Sequence, residues 1–155
     1  MKVDTIRNQV IAFHIANDQP ILEEPTVPSN DRVCLRLALI TEEFFELLEA
    51  AYGATEESSA LKAQFLEAIN DTTAEALDLP AFVDALADLD YVIEGTRLEF
   101  GIDGGPIAAE VHRSNMSKLG ADGKPVRRED GKIMKGPNFT PPDIAGELRK
   151  QGWEG

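Results

Sequence analysis

The sequence is poor in cysteine, histidine, basic charge and long apolar runs, and each shortage removes a class of protein. Its 155 residues contain one cysteine, so an internal disulfide and a multi-cysteine zinc site are both excluded. That residue, Cys34, stands in the apolar run Val33-Cys34-Leu35, where a buried, inert thiol is expected. There are two histidines, and neither His14 nor His112 stands three residues after a glutamate, which argues against a di-iron centre built on Glu-x-x-His pairs. Lys and Arg total 15 against 28 Asp and Glu, a net charge of −13. This is the wrong sign for neutralising many phosphates on DNA or RNA, so nucleic acid is not an expected partner. No apolar run approaches the ~18 residues of a membrane-span candidate, and Met1-Lys2-Val3-Asp4 lacks the apolar region of a signal peptide. No membrane partner is expected, and the expected location is cytoplasmic.

What is present suffices for folding. Apolar residues make up 43% and charged residues 28%, ordinary for a globular protein, and at about one domain per ~150 residues the span 1–155 is expected to be a single domain. The charge is segregated. Residues 1–110 hold 22 acidic and 6 basic side chains, whereas residues 111–155 hold 6 acidic and 9 basic. Carboxylates gathering cations in the body and Lys/Arg gathering anions in the tail is one reading; a chance asymmetry is the other.

Periodicity and capping signals predict an all-α fold. A first helix covers Val3 to Asn17, followed by a connector in which Pro20, Pro25 and Pro28 forbid helix. Ser29-Asn30-Asp31 offers N-cap chemistry for a long helix to about Gly53. Thr55 opens a helix from Glu56 to Asn70, and Thr72-x-x-Glu75 is a capping box for another turn or two. Asp78-Leu79-Pro80 starts a long helix ending at Gly101, with proline in the first turn where its missing N–H does no harm. Gly105-Pro106 begins another, ending near Lys118. Residues 119–141 turn to Gly, Pro, Lys, Arg and Asp, with Asp122-Gly123 and Asp130-Gly131 as turn signals. A loop of this length is often functional, and a basic binding loop with room for a small hairpin is expected. A short helix over 142–150 closes the chain, giving a bundle of about four to five helices.

The carboxylates have a definite placement on these helices. With about 100° per residue, Leu35, Leu39, Glu42, Glu43, Glu46 and Glu49 fall within one sector. Leu37, Ile40, Phe44, Leu47 and Leu48 make the opposite side apolar, so this helix should be buried against more than one neighbour. Glu49 reads as solvated. On the helix from Leu79, Asp90, Glu94 and Arg97 share what reads as the water face, whereas Asp84 and Asp88 share a sector with Ala81, Ala85, Val92 and Gly95 and should point inward. Buried unpaired carboxylates are costly, and an i,i+4 acidic pair repels itself. Only Arg32, Arg36 and Lys62 lie between the first helix and Arg97, so a divalent cation is the better compensation. An all-carboxylate set suits a hard ion, Mg²⁺ or Mn²⁺. Farther on, Asn115 and Lys118 share a face where the basic loop begins, as a metal-bound polyphosphate would require; Lys118 can equally serve the carbonyls ending its helix.

Glu42-Glu43-Phe44-Phe45-Glu46-Leu47, Asp84-Ala85-Leu86-Ala87-Asp88-Leu89-Asp90-Tyr91-Val92 and Glu110-Val111-His112-Arg113-Ser114-Asn115-Met116-Ser117-Lys118 occur in that order. From about Phe13 to Asp143 the chain resembles the all-α nucleotide pyrophosphohydrolase superfamily, the MazG-like and phosphoribosyl-ATP pyrophosphohydrolase-like proteins. The resemblance implies a Mg²⁺- or Mn²⁺-dependent enzyme that cleaves a nucleoside triphosphate between the α and β phosphates to the monophosphate and pyrophosphate. It also implies a homo-oligomer, a dimer or dimer of dimers whose copies complete one another's core. Glu43, Glu46 and Asp88 match metal ligands, Glu42 matches the glutamate that orients or deprotonates water, and Asn115 and Lys118 match nucleotide contacts. The usual second block, E-x-x-D, would place Glu at position 85; this chain has Ala85, and Asp84 is the expected fourth ligand in its place. His14 and Asn17, with Gln19, are candidate base readers at the end of the first helix, although a lone His on a largely apolar helix is commonly a satisfied core residue. The competing reading is a non-catalytic acidic helical module that binds a nucleotide or a protein, with Ala85 the mark of a decayed metal site.

Overall fold

A computed structural model describes residues 5–71, 73–129 and 131–155, apart from the side chain of Thr5. The described residues form six α-helices and no strand: α1 (Thr5–Ala16), α2 (Asn30–Tyr52), α3 (Glu56–Asn70), α4 (Leu79–Glu99), α5 (Gly104–Met116) and α6 (Ile144–Lys150), with one 3₁₀ turn at Ala74–Ala76. The all-α expectation holds, and the punctuation explains most boundaries. Thr55 caps α3, its Oγ1 accepting from the Ser58 N–H while Ser58 Oγ accepts from the Thr55 N–H, so both orphan donors are satisfied. Asp78 Oδ1 accepts the Ala81 N–H at 3.2 Å at the start of α4, with Pro80 in the first turn. Gly101, at φ +69°, ends α4 by letting Ile102 N–H reach back to Arg97 O at 2.8 Å, the left-handed turn that glycine makes without steric cost.

Two expectations differ in detail. Ser29 makes no side-chain cap bond at α2; Asn30 instead reaches forward, its Oδ1 accepting the Ala74 N–H at 2.6 Å. The capping box expected at Thr72 lies outside the described residues, and the turn that follows it is 3₁₀.

By its internal contacts the expected single domain divides into two compact units, Glu24–Phe82 and a discontinuous unit made of residues up to Glu23 together with Val83–Gly155. In the first, α2 packs on α3. Val33 and Phe45 are buried there, Phe45 lying with its ring centroid 5.9 Å from that of Phe65. Cys34 is half-buried and donates to Ile69 O at 3.2 Å, a thiol used for local packing. In the second unit, α1 packs on α5 and α5 on α6. Its tail is tied to α5 by side chains: Ser114 Oγ donates to Thr140 O at 2.9 Å, Thr140 N–H donates to Ser117 Oγ at 2.9 Å, and Arg113 donates to Thr140 Oγ1 and Pro141 O.

The long segment after α5 is irregular, as expected, and the small hairpin is reduced to one antiparallel bridge between Arg127 and Ile133. Gly136 seats it on the end of α5. Its N–H donates to Lys118 O at 2.9 Å, and a Cβ there would come within 2.4 Å of Leu119 O, so no other residue fits this crossing.

Candidate functional site

On α2, Glu42 is half-buried and Glu43 and Glu46 are exposed. On α4, Asp84 and Asp88 are exposed as well. This corrects the inward placement read from their small neighbours: every residue from Val83 to Glu94 is exposed among the described residues. Among the described residues no three or more His, Cys, Asp or Glu side chains are gathered closely enough to hold a metal ion, and none of Glu43, Glu46, Asp84 and Asp88 forms an ion pair. The donor chemistry nonetheless fits a hard cation: carboxylate oxygens only, spaced by three or four residues so that each helix presents its set on one side.

The nucleotide-contact candidates gather in the discontinuous unit, around α1. A cavity of about 650 Å³ lies between α1 and α4, floored by Ile6, Val10 and Ile93 and bordered by His14, Asp90 and Arg97. A second, of about 280 Å³, lies between α1 and α5, bordered by Phe13, His112 and Asn115. Ile6, Val10 and Arg97 belong to both. The face carrying Asp90, Glu94 and Arg97, expected to meet plain water, therefore borders a cavity wall. The Glu94–Arg97 ion pair itself is present, at 2.9 Å.

His14 has a fixed hydrogen-bonding role. Its Nδ1 lies 3.0 Å from Pro20 O, and a carbonyl only accepts, so Nδ1 is the donor, and with one proton on the ring Nε2 is the acceptor. Asn17 lines neither cavity. It is fully buried, its Nδ2 donating to Phe13 O at 2.9 Å and its Oδ1 without a partner among the described residues, so its side chain is not presented at either cavity. Lys118, half-buried just past α5, donates its N–H to Asn115 O at 3.2 Å, keeping these two candidates one turn apart at the root of the basic segment.

Sequence reasoning missed two arginines here. Arg97 read only as an ion-pair partner; its position between the cavities depends on where α1 lies. Arg127 read as loop charge, but it donates through Nη2 to Asn17 O and to Asp18 O, the latter at 3.1 Å. It thereby caps the end of α1. That end is strained, because Asp18 takes φ +45°, a left-handed conformation usually left to glycine. No local signal foretells a cap supplied 110 residues later.

The chain is all-helical, with carboxylate sets on two helices and polar side chains around two cavities. The phosphoribosyl-ATP pyrophosphohydrolase family profile matches residues 10–115, and the chain belongs to that family. The structure is also similar to a crystal structure from Exiguobacterium sp. 255-15, described as that of a candidate NTP pyrophosphohydrolase. The two are 30% identical in sequence, the match covers 97% of each chain, and the TM-score is 0.70. No protein with a curated description matches the chain.

Proposed function

We propose that the protein is a metal-dependent (deoxy)nucleoside triphosphate pyrophosphohydrolase, cleaving between the α and β phosphates, and that it acts as a homo-oligomer. The observation that carries this is the state of four carboxylates: Glu43, Glu46, Asp84 and Asp88 lie at one-turn spacing on two helices, reach solvent, and have no ion-pair partner among the described residues. Like charges one turn apart repel, and a bound cation would relieve that repulsion. The family and the similar crystal structure support the reaction class.

Glu43, Glu46, Asp84 and Asp88 would hold Mg²⁺ or Mn²⁺, which when bound supplies charge neutralisation and Lewis acidity at phosphate oxygens. Glu42 is the base: it takes the proton of a water whose oxygen attacks the α phosphorus, while the bond to the bridging oxygen breaks and pyrophosphate leaves. Lys118 faces the outer phosphates with its ammonium, Asn115 contacts sugar or phosphate through its amide, and His14 meets the base. The oligomer is supported by α4, where Val83 is 53%, Leu89 41% and Val92 57% exposed; apolar groups repeated along one helix mark a contact surface.

Ala85, where the family's second acidic block carries glutamate, favours the second reading, a binding module with a decayed site. Phosphorus NMR of a reaction with a panel of dNTPs in Mn²⁺ separates the two. Monophosphate and pyrophosphate are expected; orthophosphate and diphosphate as first products, or no turnover of any nucleotide, would overturn the assignment.

A further inference from the structure

The two cavities along α1 meet at a cation that the expected site leaves out. Arg97 borders both, with His14 on the larger and Asn115 on the smaller. Its side chain is held rather than free: Nη1 donates to Glu94 Oε2 at 2.9 Å, and the start of α5 makes room for the stem, since a Cβ on Gly104 would lie 2.8 Å from Arg97 Cδ. A surface ion pair needs no such accommodation. With 35% of its side chain exposed, Arg97 presents a positioned guanidinium where the two cavities meet, whereas Arg7 and Asp90 line the larger one alone.

We propose that Arg97 is a specificity-determining residue that reads the base of the nucleotide, selecting bases with a ring carbonyl beside a ring N–H (uracil, thymine, guanine) over those with an amino group there (cytosine, adenine). The proposal rests on the reading of this chain as a nucleotide pyrophosphohydrolase and names the substrate class of that site. Guanidinium is donor-only and permanently charged. A carbonyl oxygen accepts from it, whereas an exocyclic amino group offers it only further N–H donors, leaving both sides unpaired. His14 supplies the complement. Its Nε2, left as an acceptor by the Nδ1–H bond to Pro20 O, takes the ring N–H next to that carbonyl. Ile6 and Val10, shared by the two cavities, give the apolar surface against which a planar base lies. A donor on α4 and an acceptor on α1, both lining the larger cavity, thus match the imino-carbonyl edge.

The test is steady-state kinetics with dUTP, dTTP, dGTP, dCTP and dATP, beside calorimetric titration with the five deoxynucleoside monophosphates. The wild type is expected to favour the carbonyl-bearing group by about tenfold or more in kcat/KM, the discrimination that one unpaired polar contact gives in a partly open site. Arg97→Met keeps the stem and removes the guanidinium; KM should rise about tenfold for the carbonyl group and far less for dCTP and dATP, so that the selectivity collapses. Arg97→Lys, which keeps charge and packing, should recover part of it. A wild type that prefers dCTP or dATP, or an Arg97→Met loss equal for all five substrates and seated in kcat, would overturn the proposal. If no triphosphate is hydrolysed, the proposed reaction fails, and the monophosphate titrations decide alone. Arg97→Met weakening dUMP and dGMP more than dCMP and dAMP sustains the reader, and equal affinities refute it.

Discussion

Two adjoining stretches of the chain use their side chains in opposite ways. Where the end of the chain docks against α5, several polar groups are consumed internally. Glu110 accepts from Arg113 at 2.7 and 2.8 Å and from the Asp143 N–H at 2.8 Å, Asp143 caps α6 through the Gly146 N–H at 2.9 Å, and Gln151 exchanges hydrogen bonds with the backbone of Asp103. Along α4, from Val83 to Glu94, every residue is exposed, carboxylates and branched aliphatics alike. Both stretches are helical and rich in charge, so composition does not separate them. What separates them is where the partners are: the docked tail finds its own within the chain, whereas among the described residues Asp84 and Asp88 have no ion pair and Leu89 and Val92 are exposed, and on the proposed reading a cation and a second copy would supply the complements.

The sharpest way to break this comparison is at the acidic residues of α2 and α4. Asp88→Ala and Glu46→Ala are each expected to lower turnover by about 10²- to 10³-fold or more, the scale of losing one preorganised electrostatic group at a phosphoryl centre. Metal-free thermal stability should be unchanged or raised, because a repelling charge is removed. A large loss of metal-free stability in calorimetry would mean that the carboxylates are structural. Asp84→Asn in the same assay asks whether position 84 replaces the family's glutamate; a steep fall in metal affinity is expected, and a normal metal titration would leave three ligands.

Next in size is the aliphatic side of α4. Leu89→Glu should shift the particle from oligomer to monomer in light scattering, since each copy would lose about 1.5–3 kcal/mol of apolar burial and add a charge to the covered face. An unchanged mass at micromolar concentration would show that this face is not the contact.

The smallest effect belongs to the self-satisfied tail. The Arg113 hydrogen bonds, with the Asp143 N–H, hold the Glu110 carboxyl down at about 2. A carboxylate depressed in the folded state contributes stability that is present above its unfolded value near 4.5 and is lost as pH falls toward 2. Trp153 is the single tryptophan and follows α6 directly, so its fluorescence reports this docking. Glu110→Gln should lower the melting temperature of the Trp153 signal at pH 6, and the gap to the wild type should narrow at pH 3. A gap independent of pH would remove the charge from the explanation.

The fold was legible where the signal is local. Thr55, Pro80 and Gly101 act through their own turn of chain, and the helices they bound fall within a residue or two of the positions they imply. The acidic residues were legible for the same reason, as spacing along a helix fixes which side chains share a side. The direction of that side was not. Asp84 and Asp88 were read as inward because Ala81, Ala85 and Gly95 beside them are small, yet small residues mark close approach by any partner, including one outside the chain. Arg97 and Arg127 were missed because their roles depend on contacts made across the unit, at Gly104 and at Asn17, which no periodicity encodes.

The discontinuous unit has a consequence in time. The α2–α3 unit is one contiguous stretch and can close as soon as it has been synthesised. Helix α1 emerges before it but packs on α5, and the arginine that caps its strained end follows 110 residues behind. Its side of that contact, Phe13 included, must therefore wait until α5 has been made. Of the six helices α1 is among the last to be locked although it precedes the other five, and the closure of a long loop is the entropic step that sets when this happens.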